Sequence, residues 1–364
     1  MAQSKLIFME GLPSTGKSTN SGIVLSQLQR NGKKARWIHE VARPHPTLFF
    51  YEACMEENEY RKLLEKYPSA EILLNQLKTR RNNTIVFDLL EIEWNYLHLL
   101  DKEVVDEIKS YDVWNFSIDQ YIDEALEKWR NFVDKQIQLD EIIILDSSIF
   151  QFQIYTFVLA EVPFTKLEAF IRKIYEIVSP LNPSLVYFYR ENTEDTINYL
   201  INDRGISFLE RIWERDHEQP YYQNRPAGAE GYKMFLREYG KVAKLLFDTF
   251  PFSKLLLEIS HGNWNQYVKE LLRFYNIEYK ESLTYPFPNG RYYNEALREF
   301  IEVNNETCLI PGGGQKKLFA VSETEFYFYD LPVILRYSND CLVIEGEQLC
   351  DRWTTTGTIF TRIY

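Results

Sequence analysis

The sequence predicts an α/β protein in which helices flank a mostly parallel β-sheet, with a helical insertion and a small C-terminal antiparallel β domain. Apolar runs of strand length alternate with helical patterns in the first part of the chain, as in residues 5–10 and 184–191. After Tyr279, short aliphatic and aromatic runs separated by Gly- and Pro-rich turns indicate four or more strands. Because 364 residues exceed the usual size of one domain, we expect one domain over 1–279 and a second over 280–364.

The first predicted strand leads into a phosphate-loop pattern, G-x-x-x-x-G-K-S, which runs from Gly11 to Ser18 and opens a helix. Gly11 and Gly16 allow backbone N–H groups to approach phosphate oxygens, and the helix N-terminus adds positive potential. Lys17 is expected at the β and γ phosphates of ATP, and the Ser18 hydroxyl at Mg²⁺. The residues predicted to contact the nucleotide are Gly11, Ser14, Thr15, Gly16, Lys17, Ser18 and Thr19. The alternatives are a glycine-containing turn that matches the pattern by chance, and a loop that keeps the fold after losing activity.

A second predicted strand, residues 35–40, delivers Glu40 at its carboxyl end. In parallel sheets this edge lines the ligand crevice, so Glu40 is a candidate base for an acceptor hydroxyl and Arg43 a candidate substrate contact. The alternatives are a solvated Glu40 or an ion pair between Glu40 and Arg43. His39 is more simply interpreted as a hydrogen-bonded structural residue.

Residues 48–139 are mostly helical in pattern, with the Asn82-Asn83 pair as one clear interruption. We expect this region to bind the acceptor. Its basic cluster KTRR, residues 78–81, is more simply a solvated helix end, and a contact with a phosphate or an acidic acceptor is the alternative.

The strongest strand pattern after the first covers residues 140–148 and leads into Asp146. A phosphate-loop enzyme needs a carboxylate there that binds Mg²⁺ directly or through water, so Asp146 is predicted to organise the metal with Ser18. The alternative is that Asp146 caps the next helix, which starts near Ser148.

Residues 204–226 are predicted to form an arginine-bearing lid. Arg211 and Arg215 are four residues apart and share one face of a helix, which Arg204 is placed to join. Guanidinium groups match phosphate oxygens and neutralise charge on a transferring phosphoryl group. The alternative is a set of surface ion pairs with Glu210, Glu214 and Asp216.

The order of these motifs resembles the nucleoside and nucleotide kinases, and the deoxynucleoside kinase and thymidylate kinase group in particular, over residues 4–276. The segment EVARP, with Glu40, is similar to the family's Glu-Pro-Val-type motif, whose Glu acts as base. The family's Glu-Arg-Ser or Asp-Arg-Tyr motif is matched by residues 146–148, and its arginine-rich lid by 204–215. The resemblance implies a P-loop NTPase three-layer sandwich. Ser147 replaces the expected Arg, a departure from the pattern of enzymes with a standard nucleoside acceptor.

Composition narrows the class of partner. The chain has 41 basic and 53 acidic residues, a formal charge of −12 and a pI near 5.1, which argues against a general binder of nucleic acid or anionic membranes. No run approaches the ~18 apolar residues of a membrane span and no signal peptide is evident, so we expect a cytoplasmic protein. The four cysteines lack a C-x-x-C pair, which favours reduced thiols.

These features predict a small-molecule kinase, a phosphotransferase that uses ATP and Mg²⁺ to phosphorylate an acceptor hydroxyl. The acceptor is a nucleoside, a nucleotide, or an antibiotic or sugar-like metabolite. One alternative is a nucleotide-dependent switch that acts through the C-terminal domain, and another is a polynucleotide end kinase. For the C-terminal domain itself, covering of the active site, homodimerisation and binding of a separate ligand are all open.

Overall fold

The structure is a computed structural model, and it describes residues 4–281 and 285–364. Its helices are α1 Lys17–Arg30, α2 Glu57–Lys66, α3 Glu71–Leu77, α4 Leu89–Glu91, α5 Lys102–Ser110, α6 Ile118–Gln136, α7 Gln151–Leu159, α8 Phe164–Val178, α9 Thr193–Arg204, α10 Ile206–Asp216, α11 Gly228–Thr249 and α12 Trp264–Phe274. Its strands are β1 Leu6–Gly11, β2 Ala35–Ile38, β3 Glu52–Glu56, β4 Thr79–Arg81, β5 Thr84–Asp88, β6 Ile142–Asp146, β7 Ser184–Tyr189, β8 Ser253–Glu258, β9 Gly290–Asn294, β10 Glu299–Asn304, β11 Thr307–Leu309, β12 Gln315–Ala320, β13 Glu325–Phe328, β14 Val333–Ser338, β15 Cys341–Gly346 and β16 Ile359–Ile363.

The chain divides into two compact units, and the larger one contains residues up to 42 and from 136 onward. Its main sheet has five parallel strands in the order β2-β6-β1-β7-β8, which confirms the predicted parallel sheet. β1 lies at the centre with every residue buried, beside Asp146 of β6 on one side and Phe188 of β7 on the other. Since parallel strands end at one edge, this order brings the segments after β1, β2, β6 and β7 together.

Apolar side chains on one face of this sheet form a core with the helices packed against it. Ile7, Ile144 and Val186 of three adjacent strands are almost completely buried with Val24 of α1 and Leu271 of α12. This burial fixes the position of α1 on the sheet, and therefore of the loop that connects β1 to α1.

The smaller unit covers residues 43–135 and contains strands as well as the predicted helices. β3, β5 and β4 form an antiparallel sheet in that order. Asn82 and Asn83 make a two-residue connection between β4 and β5, with Asn82 at a φ of 45°. Asn tolerates this left-handed conformation, which suits tight hairpins. The interruption seen in the sequence is therefore a hairpin turn.

The C-terminal domain is a closed antiparallel barrel of eight strands, β9 to β16. The sequence predicts an antiparallel β domain here, and the structure confirms it and adds closure by the pairing of β16 with β9. The interior is filled by fully buried side chains such as Ile301, Leu335, Leu342 and Phe360. Residues 312–314 lie in the hairpin turn between β11 and β12.

Within the described ranges, no helix has both the length and the apolar character needed to cross a membrane.

Candidate functional site

The loop between β1 and α1 requires glycine at both ends of the pattern. Gly16 has a φ of 84°, and a Cβ at this position would lie 2.6 Å from the ring of Trp264. A Cβ at Gly11 would lie 2.6 Å from the carbonyl oxygen of Phe188 on the neighbouring strand. Any larger residue would therefore strain the backbone or displace a neighbour.

The remaining loop positions are held by side-chain hydrogen bonds. Thr15 is buried and its hydroxyl donates to the Leu12 carbonyl at 2.7 Å. The Ser14 hydroxyl donates to Asp203 of α9 at 2.9 Å, and Thr19 is exposed in the first turn of α1. The loop is thus bonded internally and connected to the helix that precedes the predicted lid.

The ammonium group of Lys17 lies inside this loop. Its Nζ donates to the carbonyl oxygens of Gly11 at 2.9 Å and Leu12 at 3.0 Å. Burial lowers the pKa of Lys17 from its ordinary value, and three neighbouring carboxyl groups oppose this lowering. These carboxyl groups belong to Glu40, Glu10 and Asp146.

Glu40 and Asp146 lie together although 106 positions separate them. β2 ends at Ile38, two residues before the predicted end, and the Glu40 N–H donates to Asp146 Oδ1 at 2.8 Å instead of continuing the strand. Burial acts to raise the pKa of Glu40, but His39, Lys17 and hydrogen bonds outweigh it, so the pKa lies below its ordinary value. Ser147 donates one of those hydrogen bonds. Glu40 is therefore an ionised carboxylate near neutral pH, as a proton acceptor requires.

Asp146 and Ser18 offer oxygen atoms to a hard cation. Asp146 is fully buried, and its Oδ2 has no hydrogen-bond partner among the residues the structure describes. Burial raises the pKa of Asp146, the Glu40 charge adds to this, and His39, Lys17 and the Ser18 hydroxyl oppose it. Mg²⁺ takes oxygen ligands and is often held by one or two carboxylates together with substrate phosphates. The pair therefore fits a magnesium ion that shares its coordination with a nucleotide.

No cluster of three or more His, Cys, Asp or Glu side chains in residues 4–281 and 285–364 is arranged to hold a metal alone. A metal at Asp146 and Ser18 would accordingly need further ligands from substrate and water.

Glu10 is a member of the site that the sequence analysis missed. Its fully buried carboxylate accepts hydrogen bonds from the backbone N–H groups of Ile149, Phe150 and Gln151 at 2.7, 3.1 and 3.2 Å. Burial raises the pKa of Glu10 to about 7, against the effect of those bonds and of Lys17. The available signal was its position as the single charged residue in the apolar segment LIFMEG.

Gln151, at the start of α7, places a polar side chain beside Glu40. Gln151 Nε2 donates to Glu40 Oε2 at 2.6 Å, while Gln151 Oε1 and the buried Ser148 hydroxyl lack partners in the part of the chain that is described. One turn along α7, the Tyr155 hydroxyl is hydrogen-bonded to that of Tyr232. Groups with unused hydrogen-bonding capacity next to an ionised carboxylate are suited to bind a hydroxylated molecule.

The three arginines of the predicted lid lie on two helices and not on one face of a single helix. α9 ends at Arg204 and α10 begins at Ile206, because Gly205 adopts a φ of 80°. Arg204 nevertheless rejoins Arg211 through Phe208, whose ring centroid lies 4.9 and 5.6 Å from their guanidinium carbons. The charge of Arg204 also acts to lower the pKa of Lys17, so this arginine is near the loop.

Arg215 is engaged in a different interaction. Its Nε and Nη2 donate to the two carboxylate oxygens of the buried Asp216, each at 2.6 Å. Burial acts to lower the pKa of Arg215, but Asp216 outweighs it and the pKa is raised. The structure therefore matches the ion-pair interpretation for Arg215 more closely than that of a free phosphate clamp.

Arg43, predicted as a substrate contact, is buried within the smaller unit. Its Nη1 donates to both carboxylate oxygens of Asp88 at 2.9 and 2.8 Å, and Nη2 lies 3.7 Å from Glu91. Its guanidinium carbon also lies 4.3 Å from the ring centroid of Trp94. These contacts hold the guanidinium inside the smaller unit.

Comparison of this chain with protein-family models and with curated proteins found no match.

Proposed function

We propose that this protein is a phosphotransferase that uses ATP and Mg²⁺ to phosphorylate a hydroxyl group of a small molecule. The observation that carries the proposal is the meeting of Lys17, Glu40 and Asp146 at the carboxyl edge of the parallel sheet. A buried ammonium, an ionised carboxylate and a carboxylate with a free oxygen are the charges that phosphoryl transfer requires.

In this proposal each side chain has one role. Lys17 and the N–H groups of residues 11–18 hold the β and γ phosphates, and Asp146 and Ser18 hold Mg²⁺, which neutralises phosphate charge. The acceptor oxygen forms a bond to the γ phosphorus while the bond from that phosphorus to the β–γ bridging oxygen breaks and ADP leaves. Glu40 takes the proton of the acceptor hydroxyl. No covalent enzyme intermediate is needed, because positioning and charge stabilisation supply most of the catalysis.

The polar atoms beside Glu40 support an acceptor that carries hydroxyl groups. Gln151 donates to Glu40 through Nε2, and its Oε1 has capacity for a further hydrogen bond. Nucleosides, nucleotides, and antibiotic or sugar-like metabolites all carry such hydroxyls. Arg215, by contrast, is already hydrogen-bonded to Asp216, so it is less available to bind a phosphate group of the acceptor.

The basic cluster of residues 78–81, on which the polynucleotide kinase alternative depends, gives that alternative little support. Within the smaller unit, Arg80 is paired with Glu57, Arg81 is paired with Glu52 and Glu124, and Lys78 donates to Asn75. A channel for a nucleic-acid backbone needs cations that are available to phosphates. The nucleotide-dependent switch is separated from the kinase by experiment, since it consumes ATP without phosphorylating an acceptor.

Substitution of Glu40 by Gln tests the proposed base. Gln has nearly the same shape but does not accept a proton at neutral pH, so we expect turnover to fall at least ~10²-fold while ATP binding stays within about twofold. Glu176→Gln, on the exposed side of α8, is the matched control and should behave as wild type. Turnover is measured as phosphorylated acceptor and binding by calorimetry. Wild-type turnover in Glu40→Gln would exclude this residue as the base.

A further inference from the structure

The C-terminal barrel contacts the elements that carry the candidate site. A Cβ built on Gly22 of α1 would lie 2.3 Å from the backbone oxygen of Tyr329, so the barrel approaches this helix at its backbone. Arg36 of β2 forms an ion pair with Glu347 at 3.3 Å. Lys280, just before the barrel, exchanges hydrogen bonds with the side chain of Gln27 at 3.0 and 2.8 Å.

The barrel also contacts the two residues that follow Glu40, Val41 and Ala42. The Cys350 N–H donates to the Val41 carbonyl oxygen at 3.0 Å. Ala42 and Leu349 form an antiparallel β-bridge, and both are almost completely buried. The segment 347–350, which follows β15, thus adds a short strand-like edge to the chain that leaves β2.

Residues 39–42 are also hydrogen-bonded to Asp146 and lie close to Ser18, the two proposed magnesium ligands. The Glu40 N–H donates to Asp146, and His39 accepts hydrogen bonds from the N–H groups of Val41, through Nδ1 at 3.3 Å, and Ala42, through its carbonyl at 2.9 Å. His39 Nε2 in turn lies 3.4 Å from the Ser18 hydroxyl. Residues 40–42 are therefore held between the phosphate-loop helix and the barrel.

We infer that the barrel segment 347–350 positions Glu40 for proton transfer. The barrel would then support the reaction at the candidate site of the parallel sheet. The inference rests on the proposed function. Leu349 and Cys350 are positioning residues, because they contact the backbone after Glu40 and do not touch the reacting atoms. A base must be held within hydrogen-bonding reach of its proton, and small displacements of such a group reduce the rate strongly.

Gly22 provides a specific way to weaken this contact. In the middle of a helix alanine is a better residue than glycine, so Gly22→Ala would stabilise α1 if nothing else were affected. Here the added methyl group meets the Tyr329 carbonyl at 2.3 Å and must move the barrel or the helix. Gly240→Ala in α11 is the matched control, since its Cβ would make only ordinary contacts of 3.5 Å and longer.

The experiment compares wild type, Gly22→Ala, Cys350→Pro and Gly240→Ala in the full-length protein. Amide hydrogen exchange is measured over residues 39–43, and kcat and the KM for ATP are measured with the acceptor that wild type phosphorylates. Cys350→Pro removes the N–H that donates to Val41 without changing α1. For Gly22→Ala and Cys350→Pro we expect at least about tenfold faster exchange, a kcat about tenfold lower and a KM for ATP within about twofold of wild type. Gly240→Ala should match wild type in all three.

Several results would overturn the inference. Unchanged exchange over residues 39–43 in both variants would show that the barrel does not hold this stretch, and faster exchange with unchanged kcat would show that it does not position Glu40. Leu335→Ala, a barrel-core variant, serves as the stability control. An equal loss of kcat in Leu335→Ala, with slow exchange retained over 39–43, would attribute the effect to general stability. Failure of the proposed function would appear separately, as absence of phosphorylated product with wild type, while the exchange measurement would still test the contact.

Discussion

Glu10 is an acidic side chain that the fold buries beside Lys17. It is fully buried in the central strand, and its pKa is raised from 4.5 to about 7 by burial. Between these two values the folded protein holds a proton that the unfolded chain releases. The free energy of unfolding therefore decreases as pH rises through this window, by about 3 kcal/mol in total, at about 1.4 kcal/mol for each pKa unit.

Glu10→Gln should remove this pH dependence. We expect the free energy of unfolding of the variant, relative to wild type, to rise by about 3 kcal/mol between pH 4.5 and pH 8, whatever its constant offset. Urea unfolding at several pH values measures the difference. The control Glu176→Gln should show a difference from wild type that is independent of pH, and the same flat behaviour in Glu10→Gln would contradict the raised pKa.

Asp146→Asn tests the proposed magnesium ligand. The asparagine oxygen can still accept the hydrogen bond from the Glu40 N–H, so the loop geometry is retained, but the ligand is neutral. We expect the Mg²⁺ concentration for half-maximal turnover to rise at least ~10-fold, and chelation of Mg²⁺ to abolish turnover in wild type. A titration of turnover with Mg²⁺ gives both values. Asp248→Asn, at the exposed end of α11, is the control; an unchanged Mg²⁺ requirement in Asp146→Asn would remove it as a ligand.

The turn between β1 and α1 was predictable from the sequence because its glycine requirement is local. Gly16 and Lys17 act through the backbone of their own loop, so their spacing is visible in the sequence. Glu10 and Gln151 were not predictable as residues of the candidate site, because each is placed there by a partner more than 100 positions away. Composition and periodicity carry no information about such distant contacts.

Two arginines on the helices of the predicted lid lie in different environments. Arg204 is exposed and near Lys17, whereas Arg215 is bonded to a buried carboxylate. We expect Arg204→Ala to lower kcat by ~10²-fold with little effect on stability. Arg215→Ala should instead lower the free energy of unfolding by about 1–2 kcal/mol, because Asp216 loses its partner, with the exposure of Arg215 limiting the effect.

Steady-state kinetics and urea unfolding of both lid variants distinguish the two roles. Arg172→Ala, in an exposed pair on α8, provides the reference for loss of a surface arginine. A larger kcat effect from Arg215→Ala than from Arg204→Ala would reverse the assignment.

How well each strand could be predicted depends on how far along the chain its pairing partner lies. The main-sheet strands were predictable from their apolar runs, and their shared edge from parallel pairing. The barrel was predicted only as four or more strands, because its closing pair joins β9 to β16 across more than 60 residues. β12 ends at Ala320 and β13 begins at Glu325, with a turn at Ser322 between them.

For the whole molecule, the candidate site holds positive groups beside the carboxyl groups of Glu10, Glu40 and Asp146, in a chain that is acidic overall. The chain carries −12, yet the loop around Lys17 gathers an ammonium, the helix N-terminus and the nearby Arg204. A phosphate group at this site would be bound through local geometry and not through the field of the whole protein. This arrangement favours a small anionic ligand over an extended polyanion.

The most direct test is phosphoryl transfer itself, measured with ATP and Mg²⁺ over a panel of nucleosides, nucleotides, aminoglycosides and other hydroxylated metabolites. Mass spectrometry of the products compares wild type with Lys17→Ala, and with Lys33→Ala as an exposed-lysine control. We predict one acceptor that gains a single phosphoryl group with wild type and Lys33→Ala, and at least ~10²-fold less with Lys17→Ala. ATP consumption without any phosphorylated product, or equal product from Lys17→Ala, would contradict the proposed function.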